Sequence, residues 1–191
     1  AIENVNVSIK LDNVTYIKTT DANGQVSLFV DLSAKQYNAL IAFDGDERYI
    51  NSYINVPIVV NRLGTVLDAS GFTTVYGDGK NLTAILKDEN GNPVDNVSVS
   101  IKLDNVTYIK TTDGNGHVSL FVDLLPKYYT ASVVFAGDER YSSSYDYANV
   151  TVNKLATVLD ASGFTTVYDD GKYLIANLTD VNGNAIENVN V

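Results

Sequence analysis

Apolar and polar residues alternate with a period of two along almost the whole chain. In 96–102 the apolar set is Val97, Val99 and Ile101, against Asn96, Ser98, Ser100 and Lys102. In 117–124 Val118, Leu120, Val122 and Leu124 oppose Ser119, Phe121 and Asp123. Leu82, Ala84 and Leu86 repeat the pattern, as do Ala148, Val150 and Val152 against Asn149 and Thr151. Short alternating runs rich in Val, Ile, Thr, Tyr and Phe predict half-buried strands, and no segment sustains helical spacing. Between the runs stand Asp88-Glu89-Asn90-Gly91, Leu103-Asp104-Asn105-Val106, Asp113-Gly114-Asn115-Gly116 and Ala136-Gly137-Asp138. These carry residues that tolerate positive φ or close onto their own backbone. About seven short strands per unit, with a turn every 8 to 12 residues or so, predict an all-β fold of immunoglobulin-like β-sandwich modules.

The pattern repeats. LDASGFTTVY stands at 67–76 and again at 159–168, and LDNVTYIKTT at 11–20 and 103–112, both 92 positions apart. Residues 1–92 and 93–184 agree at roughly two positions in three, so both copies have one fold. Residues 1–7 and 185–191 are both AIENVNV. The chain is two periods plus a seven-residue overlap. The unit starts near Arg62-Leu63 and again at Lys154-Leu155.

Three parts follow. Residues 62–153 are one complete module, 1–61 a module lacking its first strands, and 154–191 the opening strands of a further one. A sandwich without its first strands exposes sheet edges and half a core. Each fragment is what the other lacks, so 154–191 of one chain could complete 1–61 of a neighbour by strand addition, head to tail. The simpler reading is a window on a long covalent array, and strand exchange is the alternative. The two copies of AIENVNV would compete for one slot.

Composition narrows the class of protein. Hydrophobic residues make up 45% of the 191, the content of a packing chain and not of a disordered one. The net charge of −10 disfavours nucleic acid and anionic membranes as partners. Cysteine is absent, which excludes disulfides and thiolate metal sites. No apolar run is long enough to span a bilayer, and without an initiator Met or signal peptide the chain reads as an excerpt.

The order of signals within the unit resembles a known family. Thr-Val-Leu-Asp-Ala-Ser leads to Val75-Tyr76-Gly77-Asp78-Gly79-Lys80, then to Asp88-Glu89-Asn90-Gly91-Asn92-Pro93. Thr111-Thr112-Asp113-Gly114-Asn115-Gly116 follows, and the unit closes on Phe135-Ala136-Gly137-Asp138-Glu139-Arg140-Tyr141. This looks like the tandem bacterial-type Ig-like repeats of adhesin-like surface proteins, similar to those of methanogenic archaea, and the likeness covers the whole chain. It implies an extracellular protein of many modules at the cell surface. Ala1 and Ala185 depart from Pro93, a change tolerated at a turn.

Candidate chemistry is sparse. Asn-x-Ser/Thr sequons stand at Asn6, Asn13, Asn81, Asn96, Asn105, Asn149 and Asn177, where about three are expected by chance. Alternation turns several outward, as a bulky glycan requires. N-linked glycans are therefore expected partners beside neighbouring identical repeats. The four Asp-x-Asn-Gly turns supply too few carboxylates for calcium, which takes six to eight oxygens. Gly45–Tyr49 and Gly137–Tyr141 read as turns in which Tyr49 and Tyr141 form tyrosine corners. His117 is the only histidine and its counterpart is Gln25, so it is read as a surface residue. Lys80/Lys172 and Lys18/Lys110 are candidates for a side-chain cross-link, though solvated lysine is the simpler reading. No acid–base or nucleophile set is present, and no cofactor or metal is implied.

The expectation is a non-enzymatic surface protein, the stalk of an adhesin or an extracellular filament. The alternative is a carbohydrate- or protein-binding module using Tyr128, Tyr129, Tyr145 and Tyr147, which cluster near strand ends.

Overall fold

A computed structural model describes residues 1–190. Its fourteen strands are β1 Asn6–Leu11, β2 Val14–Thr19, β3 Gln36–Phe43, β4 Ser52–Val59, β5 Thr65–Ser70, β6 Phe72–Val75, β7 Lys80–Asp88, β8 Ser98–Leu103, β9 Val106–Thr111, β10 His117–Val122, β11 Lys127–Phe135, β12 Ser144–Asn153, β13 Thr157–Ala161 and β14 Ala176–Asp180. Contacts divide the chain into two compact units, 1–65 together with 136–143, and 66–135 together with 144 onward.

The second unit holds a sandwich of two sheets, ordered β10-β7-β5 and β6-β12-β11-β8-β9, beside the separate β13-β14 pair. Leu67, Leu82, Leu86, Val118, Leu120 and Val122 from the first, and Val99, Ile101, Ala131, Val133, Phe135 and Val150 from the second, are all buried. The inward sets of β7, β8, β10 and β12 are the predicted ones, and with those of β5 and β11 they make an immunoglobulin-like β-sandwich. Its opening strand is shared between the sheets. β5 lies in the three-stranded sheet, and β6 runs parallel to β12 in the other. Gly71 makes the crossing possible, since a Cβ there would lie 2.1 Å from the Asn149 carbonyl oxygen. The β8–β9 hairpin turns on two residues, Asp104 and Asn105, with φ of 48° and 64°. Positive φ at both is the type I′ geometry that matches strand twist, and Asp and Asn tolerate it.

The first unit has one four-stranded antiparallel sheet, ordered β2-β1-β3-β4. Leu11, Tyr37 and Ala39 form its core, with Leu28, Leu32, Ile58 and Val60 packed partly buried against them. Residues 25–30, QVSLFV, form no strand, whereas their counterparts HVSLFV are β10. The reason lies in partners. β10 pairs with β7 from His117↔Ile85 to Val122↔Lys80, and 1–65 contains no counterpart of β7. Phe29 is 92% exposed and Val30 37%, against 64% for Phe121 and 3% for Val122.

β13 and β14 pair antiparallel from Thr157↔Asp180 to Ala161↔Ala176. They are the counterparts of β5 and β7, which are neighbours in the sandwich. Residues 162–175 carry no strand, although 164–167 repeat the residues of β6. Sequence identity fixes the strand only where a neighbouring strand is present to receive its hydrogen bonds.

Candidate functional site

All seven sequon asparagines are exposed. Asn6, Asn81, Asn149 and Asn177 lie on strands β1, β7, β12 and β14, while Asn13 and Asn105 are in hairpin turns. Asn96 precedes β8 at φ 55°. Thr19 Oγ1 donates to Asn6 Oδ1 at 3.2 Å, and Thr130 Oγ1 to Asn149 Oδ1 at 3.4 Å. Both bonds engage the amide oxygen. The nitrogen is the atom that carries an N-linked sugar, and it is not the atom engaged by these bonds.

The hydroxyl-to-backbone geometry expected at Tyr49 and Tyr141 lies elsewhere. Tyr37 Oη donates to the Ser33 carbonyl and Tyr129 Oη to the Leu125 carbonyl, each at 2.8 Å. Both tyrosines are the first buried residue of their strand, β3 or β11. A ring buried there must find its hydroxyl a partner, and the backbone four residues upstream is in reach. That inward position was the available signal. Tyr49 and Tyr141 instead stack under Arg48 and Arg140, at 5.6 and 5.2 Å from the guanidinium carbon to the ring centre. Their loops are closed by aspartate. Asp46 Oδ1 accepts from the Arg48 and Tyr49 amides, and Asp138 Oδ1 from those of Arg140 and Tyr141.

The tyrosine cluster divides. Tyr129 is buried at 6% exposure, so it is a core residue and leaves the candidate binding set. Tyr128, Tyr145 and Tyr147 are exposed on the outer face of the five-stranded sheet. Tyr145 and Tyr147 meet edge to face, with centroids 5.9 Å apart and planes at 73°, which is not a coplanar platform. Asn149 lies on the same face two residues on, opposite Thr130.

The Asp-x-Asn-Gly turns use their carboxylates internally. Asp88 Oδ1 accepts from the Asn90 and Asn92 amides at 2.9 and 2.8 Å, and its Oδ2 from Asn92 Nδ2 at 3.0 Å. Asp180 repeats all three bonds with Asn182 and Asn184. Asp113 accepts from the Asn115 and His117 amides, and Asp21 from those of Asn23 and Gln25. No group of three or more His, Asp and Glu side chains that could hold a metal ion occurs among the described residues. His117 and Gln25 enter these turns through their backbone, which is why either side chain serves. These bonds hold Asp88 and Asp180 below the usual carboxylate range, chiefly through the Asn92 and Asn184 side-chain amides. Asp113 is held low chiefly by the His117 amide.

A cleft of about 300 Å³ beside the β8–β9 turn is lined by Lys102, Asp104, Asn105, Lys127, Tyr128 and Ser132, among others. Two of its charges are paired with each other: Lys127 Nζ lies 3.3 Å from Asp104 Oδ1 and 4.9 Å from the Tyr129 ring centre. Lys80 Nζ donates to the Thr73 carbonyl at 3.4 Å and Lys172 Nζ to that of Thr165 at 3.2 Å, both exposed. Among the described residues no helix is long and apolar enough to cross a membrane.

No protein-family model matches the chain, and no curated protein does. Among solved structures it is similar to a Ca2+-stabilized adhesin with which an Antarctic bacterium binds ice, at 17% identity and a TM-score of 0.39, over 95% of this chain and 56% of that one. It is also similar to fibronectin(III)-like modules of Clostridium thermocellum CbhA, at 13% identity and a TM-score of 0.38, over 81% of each chain. Domains 4–9 of the surface layer protein SbsC give 15% identity and a TM-score of 0.34, over 99% of this chain and 30% of that one. The chain thus spans about half of the adhesin and under a third of the surface layer protein. Likeness at these scores transfers no activity or partner.

Proposed function

We propose that this chain is a segment of a non-enzymatic cell-surface protein, a stalk or extracellular filament of tandem Ig-like units of the adhesin type seen in archaea. Units join head to tail, with 154–191 of one chain completing 1–61 of a neighbour. One observation carries this reading: the same residues are core in the sandwich and exposed in the two flanking segments. Leu82 is 0% exposed and its counterpart Leu174 70%; Leu67 is 5% exposed and Leu159 59%. Leu28 and Val30, the facing residues in 1–61, are likewise less buried than Leu120 and Val122. Outward sequons suit a glycosylated surface that keeps such a rod soluble.

Light scattering over a concentration series of the 191-residue chain tests the joining. Mass is expected to rise through multiples of 20.7 kDa. A constant monomer mass up to millimolar concentration would overturn joining, and the reading would reduce to a covalent stalk.

The second reading is a binding face formed by Tyr128, Tyr145 and Tyr147, favoured by their exposure on one sheet surface. It competes with glycosylation, because a sugar on Asn149 would cover Tyr147.

A further inference from the structure

One sequon differs from the other six in what surrounds it. A strand turns every second residue to the same face. Tyr147, Asn149 and Thr151 of β12 therefore point outward together, between the buried Ala148, Val150 and Val152. On β11, Ser132, Thr130 and Tyr128 stand opposite them in that order. Asn149 thus has one tyrosine two places before it on its own strand and another diagonally across the pair, each within about 7 to 8 Å. Both rings are 58% exposed. The residue directly opposite Asn149 is the small Thr130, and Gly71, which lies against the Asn149 backbone, brings no side chain. Thr130 Oγ1 holds the amide oxygen of Asn149 at 3.4 Å, so the contact does not use Nδ2.

The other sequons lack this setting. Asn4, Leu11, Gly79, Val94, Leu103 and Ile175 stand two places before their asparagines, and none is aromatic. Asn81 faces Phe121 across the β10–β7 pair, but that ring leans over Gly79, where a Cβ would lie 2.6 Å from Phe121 Cζ. The repeat supplies an internal comparison. Ninety-two positions earlier, Asn149 is Pro57, Tyr147 is Asn55 and Tyr128 is Gln36, in the same register between β3 and β4. Tyr145, farther along the face, is kept as Tyr53, and the inward Tyr129, Ala131 and Val152 are kept as Tyr37, Ala39 and Val60. The sheet itself requires neither Tyr147 nor Tyr128. Where the sequon is missing, both are missing.

We propose that Asn149 is a glycan seat: its Nδ2 carries an N-linked saccharide whose first sugar packs its apolar C–H face on the Tyr147 ring, with Tyr128 on the other flank. This rests on the glycosylated-surface part of the proposed function and names its site. In the attachment, Nδ2 gives up a proton to the transferase and bonds to the anomeric carbon of a saccharide carried on a lipid phosphate or diphosphate. The bond from that carbon to the phosphate oxygen breaks, and the lipid phosphate leaves. An amphipathic ring is suited to the task, since it covers apolar surface while its hydroxyl stays wet. A seated sugar lies along the β11–β12 face and withdraws both tyrosines from any free ligand.

The test uses the 191-residue chain from a secretory host that attaches N-glycans, trimmed by endoglycosidase to a single N-acetylglucosamine. Occupancy is read by peptide mass spectrometry. Tyr147→Asn and Tyr128→Gln install what the other copy already carries, so the fold is expected to hold, and Asn149→Gln removes the sugar alone. Thermal unfolding of Tyr147→Asn is measured with and without Asn149→Gln. Asn149 is expected to be occupied, and Tyr147→Asn to lower Tm by about 2 to 4 °C more when the sugar is present. Tyr128→Gln should show the same dependence with a smaller shift. The ring protons of the Asn149 sugar are expected upfield of their positions in Tyr147→Asn, because they lie over an aromatic face. An equal fall in Tm with and without the sugar, together with sugar resonances that Tyr147→Asn does not move, would overturn the seat. So would a bare Asn149 beside occupied sequons elsewhere, a result that leaves the glycosylated surface standing. If no sequon carries sugar, both ideas fall.

Discussion

At the scale of single residues, identical or near-identical side chains do different work according to what lies within reach. The sequence reads Tyr129 with the candidate binding cluster and Tyr141 as a corner. The first is buried with its hydroxyl on a backbone carbonyl, and the second lies at the surface under an arginine. Tyr129→Phe removes the hydroxyl's bond to the Leu125 carbonyl but leaves that carbonyl near solvent, Leu125 being 70% exposed. The expected loss is about 1 kcal/mol in urea unfolding, whereas Tyr141→Phe should stay within about 0.5 kcal/mol of the parent. Equal effects would mean that the corner does not lie at Tyr129. The turn aspartates carry a pH dependence. Asp88, Asp113 and Asp180 are held below the ordinary carboxylate range in the folded chain. The unfolded chain therefore binds protons more readily, and their contribution is present above about pH 4 and lost as pH falls through the lowered values. The urea midpoint should fall below about pH 4, and Asp88→Asn should flatten part of that fall. A midpoint that is level down to pH 2 would show that these bonds do not favour the folded state.

At the scale of elements, the hydrophobic alternation was enough to locate most strands, because a half-buried strand writes its period into the chain. β7, β8, β10 and β12 have the inward sets expected of them. Alternation was not enough to say whether a strand forms. QVSLFV at 25–30 and FTTV at 164–167 have the same pattern as β10 and β6 and are not strands, because hydrogen-bonding partners are a property of the neighbourhood. The division of the opening strand into β5 and β6 was also invisible. It depends on the approach of Gly71 to the Asn149 backbone, a contact 78 positions apart that leaves one glycine as its trace. The turns were legible in type, since Asp-x-Asn-Gly states its own closure, but the corner was misplaced because the sequence offers several tyrosines near strand ends. Packing explains what the missing neighbours cost. Fully burying a leucine is worth about 1.5 to 3 kcal/mol, and Leu159 and Leu174 leave that unrealised in the free chain.

At the scale of the whole molecule, joining sets two forces against each other. Docking 157–180 on 1–61 would bury apolar side chains and add backbone hydrogen bonds, neither of which needs charge. Bringing two chains of net charge −10 together is opposed by their mutual repulsion. Added salt shortens the range of that repulsion, from about 10 Å at 0.1 M to about 3 Å at 1 M. It leaves strand pairing intact. Association measured by light scattering should therefore strengthen as sodium chloride rises from 0.05 to about 1 M, most steeply at the low end where screening changes fastest. The opposite trend would point to an interface held by ion pairs, since exposed pairs are weakened by screening. Lys35 with Asp12, Lys127 with Asp104 and Lys172 with Asp170 are already paired within the chain, so they offer little to such an interface. A weakening with salt would therefore count against strand addition as well as against the charge argument. A strengthening that Leu174→Asp removes would tie the effect to the apolar face of the donor segment.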